Sequence, residues 1–259
     1  MSEWNAQRYS EQSSLQKHVA EGCLASIELA GTESVLDVGC GDGKITAGIA
    51  DRLSSGRALG VDPSVHMVEF ARSHFGGRRA LAFEVGDATA LGFHDEFDLV
   101  VSFNALHWVR DQSAALRGIR EALRPTGRAV LQFVSRGERR SLEDVIEDTR
   151  RSPRWASFFR GFETPYAHFT EAEYRDLVAA NGLRLEGLSI LAAEWDFGSR
   201  SGFTDFARAT FVEWTRRVPP ERHADFIGDV LDRYAKLGDG STQDAHVFHF
   251  LQMRVALHR

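Results

Sequence analysis

The first half of the chain alternates short apolar runs with longer stretches in which apolar residues recur every three or four positions. The apolar runs predict buried strands at residues 34–39, 57–62, 80–85, 97–103 and 128–134. The periodic stretches predict helices at residues 10–30, 43–53, 64–75 and 111–124. Strands and helices that alternate in this order indicate an α/β protein with a doubly wound parallel sheet.

The second half is less regular, and its segment 136–170, rich in arginine and aromatic residues, shows no strand periodicity. Beyond it, the pattern predicts a helix at 170–181, a strand at 183–195, two helices within 201–237 and a closing strand at 246–257. Seven strands are therefore expected, with a helical insertion before the last. Because no flexible linker marks a boundary, we expect this insertion to cap the sheet within the same domain.

The most specific motif is the glycine-rich segment DVGCGDG, from Asp37 to Gly43, which follows a predicted strand and precedes a predicted helix. Glycines allow a tight turn and a close approach of a ligand to the backbone, and the N-terminus of the helix offers unpaired N–H groups. The spacing GxGxG differs from the GxGxxG of dinucleotide-binding proteins, which disfavours an NAD-dependent oxidoreductase. A Walker A loop is also excluded, because Val38 stands where that motif requires glycine.

Two acids accompany this loop. Asp37 lies two residues before the first glycine, where its carboxylate is able to accept a hydrogen bond from an ammonium group. Asp62 ends the next predicted strand, 19 residues after Gly43, where a carboxylate binds both hydroxyls of a ribose. Each acid taken alone also fits a simpler role as the cap of a turn.

Together these residues resemble the class I S-adenosylmethionine-dependent methyltransferases over about residues 30–135, and DVGCGDG matches the family signature E/D-x-G-x-G-x-G in full. The resemblance implies a Rossmann-like fold of seven strands, mostly parallel with an antiparallel last strand. It also implies S-adenosyl-L-methionine as cofactor and S-adenosyl-L-homocysteine as product. The cofactor-binding residues that it implies are Asp37, Gly39, Cys40, Gly41, Asp62, Pro63, Met67, Asp87, Ala88 and Asn104.

A narrower resemblance concerns the methyl acceptor. The Asn/Asp-Pro-Pro-aromatic motif of DNA and protein amide methyltransferases is absent at Asn104–Trp108. Residues 4–9, 13–16 and 103–108 instead resemble the trans-aconitate and juvenile-hormone-acid methyltransferase group, which carries the methyltransferase type 11/25 domain. This resemblance implies a small-molecule acceptor that is methylated on a carboxylate oxygen. It implies that Gln16 and Trp108 hold the acceptor group and that Tyr9 closes over the cofactor.

The same resemblance implies a division of the chain. We expect residues 1–30 to form an N-terminal helical segment that closes over the cofactor, and residues 31–135 to form the cofactor-binding core. Residues 136–259 would complete the domain with substrate-cap insertions at 136–170 and 200–240.

The acceptor decides whether a base is needed. A carboxylate is already ionised at neutral pH, whereas an amine, phenol or enol often has to lose a proton. His107 is the tentative catalytic base for N-, O- or C-methylation of a natural-product intermediate, because imidazole titrates near neutral pH. Its other interpretation is a structural histidine bonded to the backbone. A module that binds S-adenosylmethionine without transferring its methyl group is a further alternative.

The composition of the chain disfavours some classes of binding partner. The 259 residues carry a net charge of −6, which disfavours nucleic acid as a partner because such binding needs a cationic face. The chain has no apolar stretch long enough to span a membrane, and its first residues lack the pattern of a signal peptide. Cys23 and Cys40 form no disulfide framework, and His246 and His249 have no evident third metal ligand. We therefore expect a cytoplasmic monomer or homodimer without metal.

Aromatic and arginine residues gather outside the predicted cofactor-binding core. Of 27 aromatic residues, 13 lie between Trp155 and Trp214, which fits either the core of a cap or the walls of a partly hydrophobic acceptor pocket. Six arginines between Arg136 and Arg154 flank four acids. This pattern predicts either a solvated helix with compensating ion pairs or one arginine that reaches an acidic acceptor.

Overall fold

The computed structural model describes residues 14–238 and 245–259, and seven strands in this part form a single sheet. The strands are β1 (Ser34–Val38), β2 (Arg57–Asp62), β3 (Leu81–Val85), β4 (Phe97–Phe103), β5 (Leu123–Val134), β6 (Arg184–Asp196) and β7 (Val247–His258). Their order across the sheet is β3-β2-β1-β4-β5-β7-β6. Strands β1 to β5 run parallel, whereas β7 is antiparallel to both β5 and β6. The predicted fold class is confirmed.

Helices connect the strands and form the insertion before β7. They are α1 (Ser14–Leu24), α2 (Lys44–Ala50), α3 (Val65–Phe75), α4 (Gln112–Ala122), α5 (Leu142–Arg151), α6 (Glu171–Ala180), α7 (Arg200–Thr210), α8 (Val212–Thr215) and α9 (His223–Ala235). Short 3-10 turns lie at Leu106–Trp108, Ala156–Phe159 and Pro220–Arg222.

Two boundaries differ from the prediction by five residues or more. Helix α1 ends at Leu24 rather than near residue 30, because the backbone N–H and the hydroxyl of Ser26 both donate to the carbonyl of Cys23 and turn the chain. Strand β5 begins at Leu123 rather than at residue 128, because Leu123 already pairs with Phe97 of β4. The ladder then shifts register at the proline–glycine turn, which interrupts the strand without ending it.

Helices cover both faces of the sheet. All five residues of β1 are buried, as expected for a central strand of a parallel sheet. On one face Cys23 of α1 and Ile49 of α2 belong to the cluster that packs on the sheet. On the other face Leu116 of α4 and Tyr174 of α6 do the same. The carboxyl ends of the parallel strands therefore lie between two helical layers, where binding sites of such sheets form.

Helices α5 and α7 to α9, with the 3-10 turns around them, form a second core, which we call the cap. Its largest buried side chains are aromatic, and they are Trp155, Phe159, Phe203, Phe206, Phe211, Trp214, Phe226, Tyr234, Phe248 and Phe250. Leu15 of α1 belongs to the same cluster. No helix in residues 14–238 or 245–259 is long and apolar enough to cross a membrane.

A buried ion pair joins the helices of the cap. Glu147 of α5 is 3% exposed. It accepts two hydrogen bonds from Arg150, at 2.8 and 2.6 Å, one from the indole N–H of Trp214 at 2.9 Å and one from the hydroxyl of Thr164 at 2.8 Å. Burial alone would raise the pKa of Glu147, but these donors lower it below its usual value. The interpretation of this segment as a simply solvated helix is therefore wrong for its inner face.

Candidate active site

The glycine loop connects β1 to α2 and is hydrogen-bonded to β2. Gly39 has a φ of +79°, and its N–H donates to the carbonyl of Val61 at 2.8 Å. A Cβ atom at Gly39 would lie 2.2 Å from the Cβ of Ala105, which belongs to the turn after β4. Gly43 has a φ of +81°, and a Cβ there would lie 2.8 Å from the ring of Phe83. Both positions therefore require glycine, for conformation and for space.

Two carboxylates lie beside this loop. Asp37 is 2% exposed and accepts a hydrogen bond of 2.6 Å from the hydroxyl of Thr46. Burial, with the nearby charge of Asp62, raises the pKa of Asp37 to about 7, although the bond from Thr46 opposes this shift. Asp62 accepts from the backbone N–H groups of Gly41 at 3.0 Å and Ser64 at 2.9 Å. Burial raises the pKa of Asp62, and these two hydrogen bonds oppose the rise.

A cavity of about 450 Å³, which we call the main cavity, lies at the carboxyl ends of β1, β2 and β4. Nine residues singled out from the sequence line it, and they are Gly39, Gly41, Asp62, Pro63, Met67, Asp87, Ala88, Asn104 and Trp108. The structure thus brings together residues that lie far apart in the chain. Leu106, Val109 and Glu213 also line the main cavity, although the sequence did not single them out.

Asp37 and Cys40 line a separate, smaller space. This loop cavity, of about 50 Å³, shares Gly39, Gly41 and Asn104 with the main cavity. The thiol of Cys40 belongs to the apolar cluster with Phe83. Burial raises the pKa of the Cys40 thiol well above its usual value, and the carboxylates of Asp37 and Asp62 add to this. Cys40 is therefore a buried, uncharged side chain.

A third cavity of about 80 Å³, which we call the cap cavity, lies between the sheet and the cap. Its walls are mostly apolar, and they include Leu15, Val19, Val134, Leu142, Ile146, Phe206, Phe211, Trp214, Phe248 and Phe250. Asn104, His107, Trp108, Glu143 and Gln252 supply polar atoms to the same walls. Asn104 and Trp108 line both the cap cavity and the main cavity.

Asn104 is the residue at which the three cavities meet. It follows β4 with a φ of +53°, in the left-handed region that asparagine tolerates. Its N–H donates to the carbonyl of Gln132 at 2.7 Å, and its Oδ1 accepts from the side chain of Gln252 at 3.0 Å. Strands β5 and β7 therefore hold Asn104 from its backbone and from its side chain.

His107 is 4% exposed and lines the cap cavity. Burial lowers the pKa of His107 well below its usual value, and the neighbouring His168 adds to this effect. The imidazole is therefore neutral at physiological pH and is a weak base. Trp108 makes an edge-to-face contact with Trp214 of the cap, with ring centroids 5.9 Å apart. Tyr9 lies outside the described residues, as does the side chain of Gln16.

The arginines of residues 136–154 are paired rather than directed into the cap cavity. Five of the six make ion pairs, namely Arg136 with Glu173, Arg140 with Asp148, Arg150 and Arg151 with Glu147, and Arg154 with Asp225 and Asp229. None of the six lines the cap cavity. Compensating ion pairs are the interpretation that the structure supports. In the described part of the chain no group of three or more His, Cys, Asp or Glu side chains is suited to a metal.

Sequence reasoning missed Glu143 and Gln252 of the cap cavity. Gln252 is 4% exposed and stands in a strand whose other inward positions are apolar. A polar residue at such a position was the available signal. Glu143 has no comparable signal, because nothing in the sequence separates it from the acids next to it.

Comparison with known proteins agrees with this geometry. The sequence profile of the family described as "Methyltransferase domain" matches residues 35–127. Trans-aconitate 2-methyltransferase from Methylobacterium radiotolerans is 30% identical over 252 residues, which cover 93% of this chain and 91% of that protein. The chain belongs to the class I S-adenosylmethionine-dependent methyltransferases. Its methyl donor is S-adenosylmethionine.

Two further proteins are similar to this chain. Juvenile hormone acid O-methyltransferase from Bombyx mori is 35% identical over 175 residues, which cover 62% of each chain. An S-adenosylmethionine-dependent methyltransferase from Mesorhizobium loti has the same fold, with a TM-score of 0.56 at 17% identity over 94% of this chain and 100% of that one.

Proposed function

We propose that this methyltransferase methylates a carboxylate oxygen of a small, partly apolar molecule that binds in the cap cavity. The observation that carries the proposal is the position of Asn104, where the main, loop and cap cavities meet. The names of two relatives, a trans-aconitate 2-methyltransferase and a juvenile hormone acid O-methyltransferase, also support an acid as acceptor.

The main and loop cavities fit S-adenosylmethionine. Gly39 lines both cavities, and because it lacks a Cβ atom the turn at Ala105 is able to pack directly against the glycine loop. Asp62 uses one lone pair of each oxygen for Gly41 and Ser64, which leaves acceptor capacity for two ribose hydroxyls. The residues that would hold the cofactor are Asp37, Gly39, Cys40 and Gly41 at the methionine end, Asp62 at the ribose, and Pro63, Met67, Asp87, Ala88 and Asn104 around the rest.

Asp37 has a role that follows from its pKa. At a pKa of about 7, its carboxyl group is only partly ionised at neutral pH before a ligand binds. An ammonium group placed in the loop cavity favours the ionised carboxylate over the neutral acid. The protonated fraction of Asp37 is therefore expected to lose its proton on binding, so the affinity for the cofactor should depend on pH.

When bound, S-adenosylmethionine supplies a methyl group on a sulfonium, which is already a strong electrophile. The chain then has to align the acceptor oxygen with that methyl group at about 3 Å and to exclude water. Trp108 lies on the border of the main and cap cavities, where its indole N–H is able to orient an acceptor oxygen. Gln16 would be its partner at the carboxylate. Tyr9 and residues 1–30 would close over the cofactor, and the insertions of residues 136–259 would enclose the acceptor.

Methylation of an amine or phenol with His107 as base is the second candidate. The low pKa of His107 counts against it, because a weak base removes a proton poorly from such acceptors. A module that binds S-adenosylmethionine without transfer is the third. The complete glycine loop and a cap cavity adjoining the main cavity both favour an active enzyme.

The test is incubation with methyl-labelled S-adenosylmethionine and a panel of carboxylic acids, phenols and amines. We expect label in the acids, as esters that alkali hydrolyses. Label confined to phenols or amines would contradict the carboxylate proposal. Stabilisation by S-adenosylhomocysteine with no labelled product from any acceptor would favour a module without transfer.

A further inference from the structure

The cap cavity has a second polar end, away from Asn104 and Trp108. There it adjoins a space of about 10 Å³, which we call the distal cavity. The two share the walls Val134, Leu142, Glu143, Phe248 and Phe250. Glu143 does not line the main cavity, and neither Asn104 nor Trp108 lines the distal one. An acceptor with its reacting group at Asn104 therefore points its other end toward Glu143.

Two buried polar atoms at this end have no hydrogen-bond partner in the described part of the chain. They are Oε2 of Glu143 and Oγ of Ser135. Ser135 is 3% exposed and lines the distal cavity together with Glu143. An unsatisfied buried polar atom is unfavourable, so such atoms in a folded protein call for a partner.

Glu143 differs in this respect from the other acids of helix α5. Each of those acids is engaged, namely Asp144 by the N–H of Ser141, Glu147 by Arg150 and Trp214, and Asp148 by Arg140. Helix α5 therefore holds, in a residue that lines both the cap and the distal cavity, a carboxylate oxygen whose acceptor capacity is unused.

We propose that Glu143 and Ser135 bind a neutral hydroxyl group at the far end of the acceptor. The preferred substrate is then an apolar carboxylic acid that carries a hydroxyl group remote from its carboxylate. The carboxylate half of this statement rests on the proposed function above, whereas the hydroxyl half rests on the distal cavity alone.

The chemistry of the distal cavity selects a hydroxyl over other groups. A hydroxyl donates one hydrogen bond and accepts others, so it is able to donate to Glu143 and accept from Ser135. A second carboxylate has no hydrogen to donate to the unpartnered oxygen of Glu143. An ammonium group is disfavoured because Arg139 and Arg140 line the same cavity. About 10 Å³ is also close to the space of a single water-sized group.

Matched acids test the proposal. Straight-chain acids of increasing length are compared with counterparts that carry a terminal hydroxyl or a terminal amino group. Binding is measured by calorimetry with S-adenosylhomocysteine present, and ester formation is measured with S-adenosylmethionine. For one chain length we expect the hydroxy acid to bind about tenfold or more tightly than the plain acid, because a site built for a hydroxyl rejects its analogue.

Variants assign this preference to the distal cavity. Glu143→Leu and Ser135→Ala are each expected to reduce the ratio of the hydroxy-acid affinity to the plain-acid affinity to about twofold or less, because each removes a hydrogen-bond partner of the hydroxyl. Glu138→Leu is the control, since Glu138 is exposed and lines none of the four cavities. It should keep the full preference. The two substitutions test the site independently if one of them impairs folding.

The outcomes separate this inference from the proposed function. Equal binding of hydroxy and plain acids at every length, or a preference that survives both variants, would overturn the hydroxyl site even if esters form. Tighter binding of the acids with a terminal amino group than of the acids with a terminal hydroxyl would also overturn it. A preference lost in both variants supports the site, whether or not esters form, whereas absence of ester from every acid would contradict the carboxylate proposal.

Discussion

The region around the main cavity and the cap are built by different means. Around the main cavity the backbone makes the site, through glycines with positive φ and N–H groups that hold Asp62 in place. In the cap, side chains make the site, through aromatic packing around the buried pair of Glu147 and Arg150. Backbone geometry demands particular residues at particular positions, whereas aromatic packing accepts many arrangements. For this reason the region around the main cavity carries a recognisable sequence motif and the cap does not.

Trp108 and Asn104, which line both the main and the cap cavity, link the two regions. Trp108 belongs to the turn after β4 and also contacts Trp214, whose indole N–H donates to Glu147. Asn104 contacts the cap side through Gln252 of β7. We therefore expect a substitution in one region to have little effect on the other.

The largest effect is expected in the cap, from Glu147→Gln. The substitution leaves Arg150 buried without its counter-ion, and removing one partner of a buried pair costs about 3–5 kcal/mol. Urea unfolding measures the free energy of unfolding. Glu171→Gln is the control, because Glu171 forms an exposed pair with Arg175, where about 1 kcal/mol or less is expected. Equal losses in the two variants would contradict a buried role for Glu147.

The Glu147 effect also has a pH signature. The pKa of Glu147 is lowered in the folded protein, so its contribution is complete above the pKa of the unfolded chain and is lost as the pH falls through the folded value. The difference between wild type and Glu147→Gln should therefore shrink in acid. Affinity for S-adenosylhomocysteine at neutral pH should change by less than about twofold.

The second prediction concerns the glycine loop beside the main cavity. Gly39→Ala introduces a Cβ atom 2.2 Å from that of Ala105, at a φ of +79°. We expect affinity for S-adenosylhomocysteine to fall by about a hundredfold, because strain and overpacking both act on the loop. Gly48→Ala is the matched control, since it lies in α2 with open space around it. It should bind normally and be more stable by about 1 kcal/mol or less. Similar affinities of the two variants would refute the backbone argument.

The third prediction concerns Asp37 and pH. Its pKa of about 7 means that its ionised fraction falls about tenfold per pH unit well below that value. The affinity for S-adenosylmethionine, measured by calorimetry, should therefore weaken as the pH falls, and the loss should approach about tenfold per pH unit. Asp37→Asn should bind weakly at every pH with a flattened profile.

Stability should respond to Asp37 in the opposite sense. A carboxyl group whose pKa is raised by folding stabilises the unliganded protein at low pH, and that contribution is lost as the pH rises through about 7. Asp37→Asn is therefore expected to have a higher Tm than wild type at pH 8, and the difference should shrink as the pH falls and vanish only below the pKa of the unfolded chain, about 4. A variant less stable than wild type at pH 8 would show that the charge of Asp37 is not penalised by burial.

The smallest effect is expected from His107→Gln in the wall of the cap cavity. A neutral histidine that is not a base contributes little to the transfer, so kcat toward a carboxylic acid should fall by less than about tenfold. Loss of about a hundredfold or more, together with a kcat profile that loses an inflection present in wild type, would instead assign His107 a role as general base.

Much of the sheet was predictable from the sequence, because buried parallel strands appear in it as short apolar runs that lie between stretches with the helical repeat. The main and loop cavities were predictable as well, because Asp37, Gly39 and Asp62 occupy positions that backbone geometry dictates. The early start of β5 was not, since the proline and glycine at Pro125–Gly127 usually end a strand and here only shift its register.

The cap resisted prediction for a physical reason. The burial of Glu147 depends on Trp214, 67 residues away, and local periodicity carries no information about such a partner. Glu143 and Asp144 are adjacent acids in sequence, yet Asp144 belongs to the N-terminal cap of α5 whereas Glu143 lines the cap cavity. Only the packing of the cap against β7 separates their roles.

The measurement that tests the central claim most directly is a calorimetric titration of S-adenosylhomocysteine into wild type and Asp62→Ala, with NAD as the control ligand. We expect saturable binding to wild type, no binding of NAD, and affinity at least about tenfold weaker in Asp62→Ala, because two hydroxyl contacts to a carboxylate are lost. Equal affinity of the two proteins, or no binding of S-adenosylhomocysteine to wild type, would contradict the assignment of the main cavity to the cofactor.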